Sequence, residues 1–211
     1  MRLTVSRRRK MVGIAGVWTF RVLCLVIAAA TLRVLILPVA EVMPAMAPYM
    51  ADLRSAVLAH IIFATLALAL APFQLSGKLR NRHPRLHRLS GYVYAFSIAV
   101  AAVASLALLP EFGGSYWALA GFAVLAVLWI GFTALGIDAA RRRDFLRHRQ
   151  WMLRSVALSF AAVVLRLMMP GLMASGMTYL ETYDITAWAS WVPSLIAVEW
   201  WLRRRPERNL A

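Results

Sequence analysis

Two histidines begin apolar segments of the sequence and are candidates for haem ligands. His87 begins one segment and His148 begins another. If both segments enter a membrane from the same side, the imidazoles meet at one depth and can bind a b-type haem iron from its two faces. Positive charge for the haem propionates is offered by Arg88, Arg149 and Arg154. The alternative interpretation is that both histidines are interfacial side chains among arginines.

A second pair of ionisable side chains lies deeper in the apolar runs. His60 falls about 10 Å from the outer end of its segment, at about 1.5 Å per residue, and Arg166 falls in the outer third of another. Ionisable groups inside a membrane are costly, so each is a functional hypothesis. These positions allow the two to share a depth. They either line a cavity for a small molecule or proton or are structural, as a packed pair or with Arg166 bonded to helix carbonyls.

Glu199 lies near the inner end of the last apolar segment. Arg21 and Arg154 enter the membrane from the same side. An ion pair between Glu199 and either arginine lowers the cost of burying both charges. We predict a structural ion pair here, with a proton relay through Glu199 as the alternative function.

Motifs of soluble enzymes are absent from the sequence. No Cys/His zinc spacing, G-x-x-x-x-G-K-[ST] phosphate loop or G-x-S-x-G elbow occurs. Cys24 is the single cysteine and lies within an apolar run, as a small core hydrophobe does. The sequence therefore assigns no reaction and excludes a soluble hydrolase or an ATP-driven pump.

The elements that must position these residues are six long apolar segments. Hydrophobic residues make up 62% of the 211 residues, more than a soluble domain usually contains. A spanning helix needs about 20 largely apolar residues. We predict an all-α, polytopic membrane helix bundle of six transmembrane helices in residues 12–202, between basic tails at 1–11 and 203–211. The helices are expected at residues 12–38, 55–73, 89–109, 116–139, 152–173 and 185–202.

Charge alternates between the connections of these segments. Both tails and the second and fourth connections are rich in arginine and lysine, whereas the other three carry five acidic residues and only Arg54 as a basic one. The positive-inside rule then places both termini in the cytoplasm of a bacterial inner membrane, with the basic rim against anionic lipid. The net charge of +15 is attributed to this rim. Nucleic-acid binding is excluded, because no soluble domain carries it.

Several motifs spread over residues 45–205 resemble a bacterial membrane family, domain of unknown function 2306. Besides His60, they are APFQ at 71–74, LHRLSGYVY at 86–94, GG at 113–114, HRQWMLRS at 148–155, AAVVLRL at 161–167, WVPS at 191–194 and EW at 199–200. Two positions depart from the family pattern. Ala71 stands where glycine is usual, and Tyr92 stands where arginine is usual, which removes a charge from the inner end.

The resemblance implies a polytopic inner-membrane protein without an established reaction. It marks a characteristic polar set, namely His60, His87, Arg88, His148, Arg149, Arg154, Arg166 and Glu199. The helical core is also distantly similar to b-type membrane cytochromes, which usually carry four ligand histidines. Because the fourth segment has no histidine, this likeness allows one haem at most, between His87 and His148.

Three functions stay open from the sequence. The first is a membrane redox protein with haem b at the two inner histidines and quinol as the donor. The second is a transporter or sensor for a small molecule or proton, which uses His60 and Arg166. The third is an accessory subunit that binds partner helices or anionic lipid through its basic rim, in a membrane complex or a homo-oligomer.

Overall fold

The computed structural model describes residues 2–204, with side chains described for 15–44 and 46–204. This part of the chain is helical and contains no strand, which confirms the predicted all-α class. Its α-helices are Arg2–Leu32 (α1), Val39–Val42 (α2), Arg54–Gln74 (α3), Gly77–Arg82 (α4), Pro84–Leu108 (α5), Tyr116–Arg141 (α6), Phe145–Ser159 (α7), Ala161–Ala174 (α8), Tyr179–Ala189 (α9) and Val192–Arg204 (α10). Short 3-10 helices occur at Arg33–Leu35, Pro44–Met50 and Leu109–Glu111.

Five segments in the described part are long and apolar enough to cross a membrane. They are Ala15–Leu35, Arg54–Gln74, Pro84–Glu111, Tyr116–Arg141 and Phe145–Ala174, the last combining α7 and α8. At most 39% of the most apolar stretch of any segment is fully buried inside the protein, so most of these side chains keep some surface exposed. Outward-facing apolar side chains on helices of this length are solvated by lipid. The chain is therefore a multi-pass membrane protein in contact with the bilayer.

The sixth predicted segment, residues 185–202, is divided between two helices. α9 has 11 residues and α10 has 13, so neither reaches the length of a span. The chain turns at Ser190 and Trp191, just before Pro193. Proline lacks a backbone N–H, and its ring clashes with the carbonyl four residues earlier. A single continuous sixth helix is therefore not formed in this part of the chain.

Small side chains allow the helices to approach closely. α3 packs along α5, α6 packs along α7, and α1 and α9 lie against α3 and α6 respectively. The main buried cluster contains Ala67, Ala71, Ala101 and Ala102, with Tyr94 fully buried among them. In lipid, where apolar side chains gain little by leaving the solvent, close van der Waals packing of small residues holds helices together.

The two ends of the bundle differ in charge. At the basic end, the connections at residues 75–83 and 142–144 join α3 to α5 and α6 to α7, and arginines cluster on and beside them. The acidic end comprises the connections at residues 36–53, 109–115 and 175–178. These two names are used below for the two ends of the bundle.

Candidate functional site

A cavity of about 650 Å³ lies among α1, α3, α5–α9 and the 3-10 helices Arg33–Leu35 and Pro44–Met50. Small side chains from several helices leave this space, among them Ala64, Ala102, Ala126 and Ala161. Pockets that hold small-molecule ligands usually measure about 300–1,000 Å³. The cavity therefore has the volume and the mostly apolar wall of a ligand site.

His60 and Arg166 both line this cavity, although they lie on different helices. The His60 Nδ1 atom is 2.9 Å from the Ala101 carbonyl oxygen, and a carbonyl only accepts, so Nδ1 carries the proton. The Nε2 atom is then the acceptor of a neutral ring. The two side chains are close enough for the charge of Arg166 to act on His60. The shared depth stays a prediction, but both side chains border the same cavity.

Arg166 has no acidic partner among the residues that the structure describes. The ion pairs in this part of the chain are Arg154–Glu199 and two surface pairs on the basic side, Arg142–Asp138 and Arg147–Asp144. The Arg166 Nη1 atom donates to the Ala162 carbonyl oxygen on its own helix at 3.1 Å. A guanidinium has five N–H donors, so most of its hydrogen-bond capacity is unused in the contacts found among the described residues.

Aromatic side chains line the cavity on the side of the acidic end. The rings of Phe112, Phe122 and Tyr183 contact one another with centroids 5.5 to 5.9 Å apart. Tyr49, on the 3-10 helix Pro44–Met50, lines the same space. Burial raises the pKa of Tyr49, against the opposing effect of the Gly113 backbone, so its hydroxyl stays protonated at neutral pH. The cavity therefore borders the connections of the acidic end.

A buried network of polar side chains reaches the cavity wall at Trp129 and Ser159. The Tyr94 hydroxyl lies 3.0 Å from the Ser155 Oγ and 2.9 Å from the Ser159 Oγ. The Trp129 indole N–H donates to Ser159 at 3.0 Å, and the Thr133 Oγ1 lies 2.8 Å from Ser155. All five side chains are buried. The network joins α5, α6 and α7, and the sequence analysis did not predict it.

His87 and His148 also come together, at the basic end. Tyr94 on α5 contacts Ser155 on α7, and this contact fixes how the two helices are aligned. Each histidine lies seven residues earlier on its own helix, about two turns away, so the two histidines lie at the same level. They are near enough to interact electrostatically. The His148 Nδ1 atom lies 2.8 Å from the Gly136 carbonyl oxygen, whereas the His87 Nδ1 atom is buried and has no hydrogen-bond partner among the residues that the structure describes.

The arginines expected around a haem have different surroundings. Arg88 is exposed and Arg149 is partly buried, with interactions of its own. Arg154 is engaged by Glu199 and is not free for a propionate. Among the described residues, no group of three or more His, Cys, Asp or Glu side chains is placed to hold a metal ion.

Arg154 and Glu199 form a two-pronged ion pair between α7 and α10. The Arg154 Nε atom donates to Glu199 Oε1, and Nη2 donates to Oε2 at 3.0 Å. The Arg154 guanidinium also lies 4.6 Å from the centroid of the Trp151 ring. Arg21 instead stacks over Trp18 at 5.3 Å. Of the two predicted partners of Glu199, the structure therefore selects Arg154.

These features define a class, namely an all-helical, multi-pass membrane protein that holds ionisable and hydroxyl groups inside its bundle. A family model described as "Predicted membrane protein (DUF2306)" matches residues 57–202. The chain belongs to this family, as its motifs predicted. No curated protein and no solved structure matches the chain.

Proposed function

We propose that this protein binds a small amphipathic molecule in the cavity and serves as its transporter or sensor. The observation that carries the proposal is that one cavity of about 650 Å³ reaches both His60 and Arg166. A cavity with apolar walls and a few convergent polar groups suits a ligand with a hydrocarbon body and a polar head. Molecules of this kind already concentrate in membranes.

The proposal includes six crossings of a bacterial inner membrane, with both termini in the cytoplasm. Residues 185–202 would make the last crossing as a broken helix; their 18 residues span about 27 Å, close to the hydrocarbon thickness of about 30 Å. Broken helices are tolerated where they border a cavity, and Ser190 at this break lines the cavity. The basic end then faces anionic lipid in the cytoplasmic leaflet.

The proposal is tested by filling the cavity. Ala64→Phe places a ring into the cavity from α3, and Ala99→Phe on the exposed face of α5 is the matched control. The probes are two photoreactive diazirine amphiphiles with twelve-carbon chains, one a carboxylate and one an alcohol, presented in phosphatidylcholine nanodiscs. We expect at least one probe to label cavity residues of the wild type and the control, and labelling to fall strongly in Ala64→Phe.

Two results bear on this test in opposite directions. A co-purified molecule that native mass spectrometry finds on the wild type and not on Ala64→Phe would support the proposal. The proposal would be overturned if neither probe labels the cavity, or if Ala64→Phe and the wild type are labelled equally. Monodisperse elution of both variants shows that each is folded.

A second candidate function is redox chemistry at the basic end. It is favoured by the buried His87 Nδ1 atom without a partner, beside His148, whose Nδ1 is held by a carbonyl and whose Nε2 is left as a potential ligand. A Soret band in protein from haem-supplied cells, lost in His87→Ala and in His148→Ala, would support haem b. A colourless, folded preparation from such cells would end this candidate.

A further inference from the structure

We infer that the molecule bound in the cavity carries an oxyanion head group, a carboxylate or a phosphate ester, and that Arg166 binds it. The inference rests on the proposed function and specifies its ligand class. It begins from the basic residues of the cavity wall, which are Arg33, His60 and Arg166. No aspartate or glutamate occurs among the described residues that line it.

The depth of the two arginines gives them separate roles. Arg33 lies at the end of α1 and is exposed, with its Nε atom donating to the Ala30 carbonyl oxygen at 3.0 Å. It is placed to attract an anion toward the cavity. Arg166 lies on α8 inside the bundle, where a cation without a counter-ion is costly. An anionic ligand would supply the charge that the described part of the chain does not.

The hydrogen-bond capacity around Arg166 fits an oxyanion. A guanidinium binds a carboxylate or phosphate through two parallel N–H bonds, and Arg166 uses only Nη1 for its own helix in the contacts found. Ser190 also lines the cavity and is 1% exposed, and its hydroxyl has no hydrogen-bond partner in the described part of the chain. An alcohol or ketone head group would leave the positive charge of Arg166 unbalanced.

The experiment compares head groups on one chain length. Photoreactive twelve-carbon probes with a carboxylate, a phosphate monoester or an alcohol are titrated onto the wild type, Arg166→Gln and Arg166→Lys in phosphatidylcholine nanodiscs at pH 8. We expect an anionic probe to bind the wild type more tightly than the alcohol. Arg166→Gln should weaken the binding of that anionic probe by about 10- to 100-fold, because charged hydrogen bonds are lost. The binding of the alcohol should stay unchanged.

Arg166→Lys keeps the charge but loses the two-pronged geometry, so its affinity for the anionic probe should lie between those of the wild type and Arg166→Gln. Which anion binds more tightly decides between an organic acid and a phosphate ester as the source of the oxyanion. If the alcohol labels the cavity as well as both anions do, or Arg166→Gln binds the anions as the wild type does, the oxyanion inference fails and the proposed function stands. If no probe labels the cavity, the proposed function itself fails.

Competition on the wild type keeps the test decisive if Arg166→Gln does not fold. Unlabelled dodecanoate or dodecyl phosphate should displace the anionic probe at lower concentration than dodecanol does. Equal displacement by dodecanol would overturn the inference without any variant.

Discussion

At the residue scale, two arginines inside the bundle differ in what neutralises them. Arg154 meets Glu199 through two donors and stacks on Trp151. Arg166 meets only a backbone carbonyl among the contacts found in the described chain. A charge that is already paired holds helices together, whereas one that faces a cavity is available to a ligand. We therefore assign a structural role to the first arginine and binding to the second.

The hydroxyl network gives a prediction about stability. Tyr94→Phe removes a hydroxyl shared by Ser155 and Ser159, and should lower the free energy of unfolding by about 0.5–2 kcal/mol. Tyr92→Phe is the control, because Tyr92 lies two residues earlier on α5 and is 63% exposed. The measurement is thermal unfolding in detergent. Equal melting temperatures for both variants would show that the network adds no stability.

The sequence revealed the charged residues of the site better than its hydroxyl groups. His60, Arg166 and Glu199 stand out because a charge within an apolar run is rare and costly. A serine or threonine in a helix can satisfy itself on its own backbone, as Thr186 does on the Thr182 carbonyl oxygen. Its presence therefore predicts no partner, and the network became visible only when three helices were assembled.

At the scale of elements, α6 and α9 approach so closely that a side chain is excluded at Gly121. A Cβ atom there would lie 2.9 Å from the Ala187 carbonyl oxygen and 2.9 Å from the Trp188 Nε1 atom. The carbonyl belongs to the backbone of α9 and cannot rotate away. The contact places Tyr183, one helical turn earlier on α9, beside the cavity.

Gly121→Ala should therefore destabilise the protein, by about 1–3 kcal/mol as overpacking does. Gly131→Ala on the same helix is the matched control, because nothing lies within 4 Å of a Cβ atom at that position. The control should leave stability unchanged or raise it slightly, since alanine favours a helix more than glycine does. A melting temperature of Gly121→Ala at or above that of the control would contradict the packing of α6 on α9.

The start of α9 gives a prediction about pH. Hydrogen bonds from the Thr178 backbone and hydroxyl lower the pKa of Glu181 below its ordinary value of 4.5. A lowered pKa means that the cap stabilises α9 fully above about pH 4.5 and loses this effect as the pH falls through the lowered value. Amide protection at the start of α9, corrected for intrinsic exchange, should fall between pH 6 and pH 3.

Glu181→Gln should remove most of this pH dependence, because a glutamine does not titrate. The start of α4 is an internal reference, since its cap is the uncharged Ser76, whose Oγ accepts from Leu79 at 3.3 Å. If protection of α9 falls with pH equally in the wild type and in Glu181→Gln, the cap is not the titrating element.

Hydropathy located the spanning elements but not the break between α9 and α10. Averaged over residues 185–202, the composition resembles one helix. The break depends on Pro193 and on the turn before it, which an average does not register. The pairing of α6 with α9 likewise depends on Gly121, whose role becomes visible only once its neighbour is known.

At the scale of the whole molecule, the position of the cavity follows the asymmetry of charge. Several residues that line it, among them Tyr49, Phe112 and Tyr183, lie on or beside the connections of the acidic end. In the proposed orientation this end faces away from the cytoplasm. The account therefore requires a water-filled cavity that is reached from that side of the membrane.

The most direct test of this central claim is the accessibility of Ser105. In a Cys24→Ala background, Ser105→Cys places a thiol at the cavity wall, and Val103→Cys on the same helix places one toward lipid, where the native side chain is 61% exposed. A membrane-impermeant methanethiosulfonate reagent is added to intact cells and, separately, to inverted vesicles. The account predicts rapid labelling of Ser105→Cys in cells and little labelling of Val103→Cys. Labelling of Ser105→Cys only in inverted vesicles, or no faster than Val103→Cys, would contradict it.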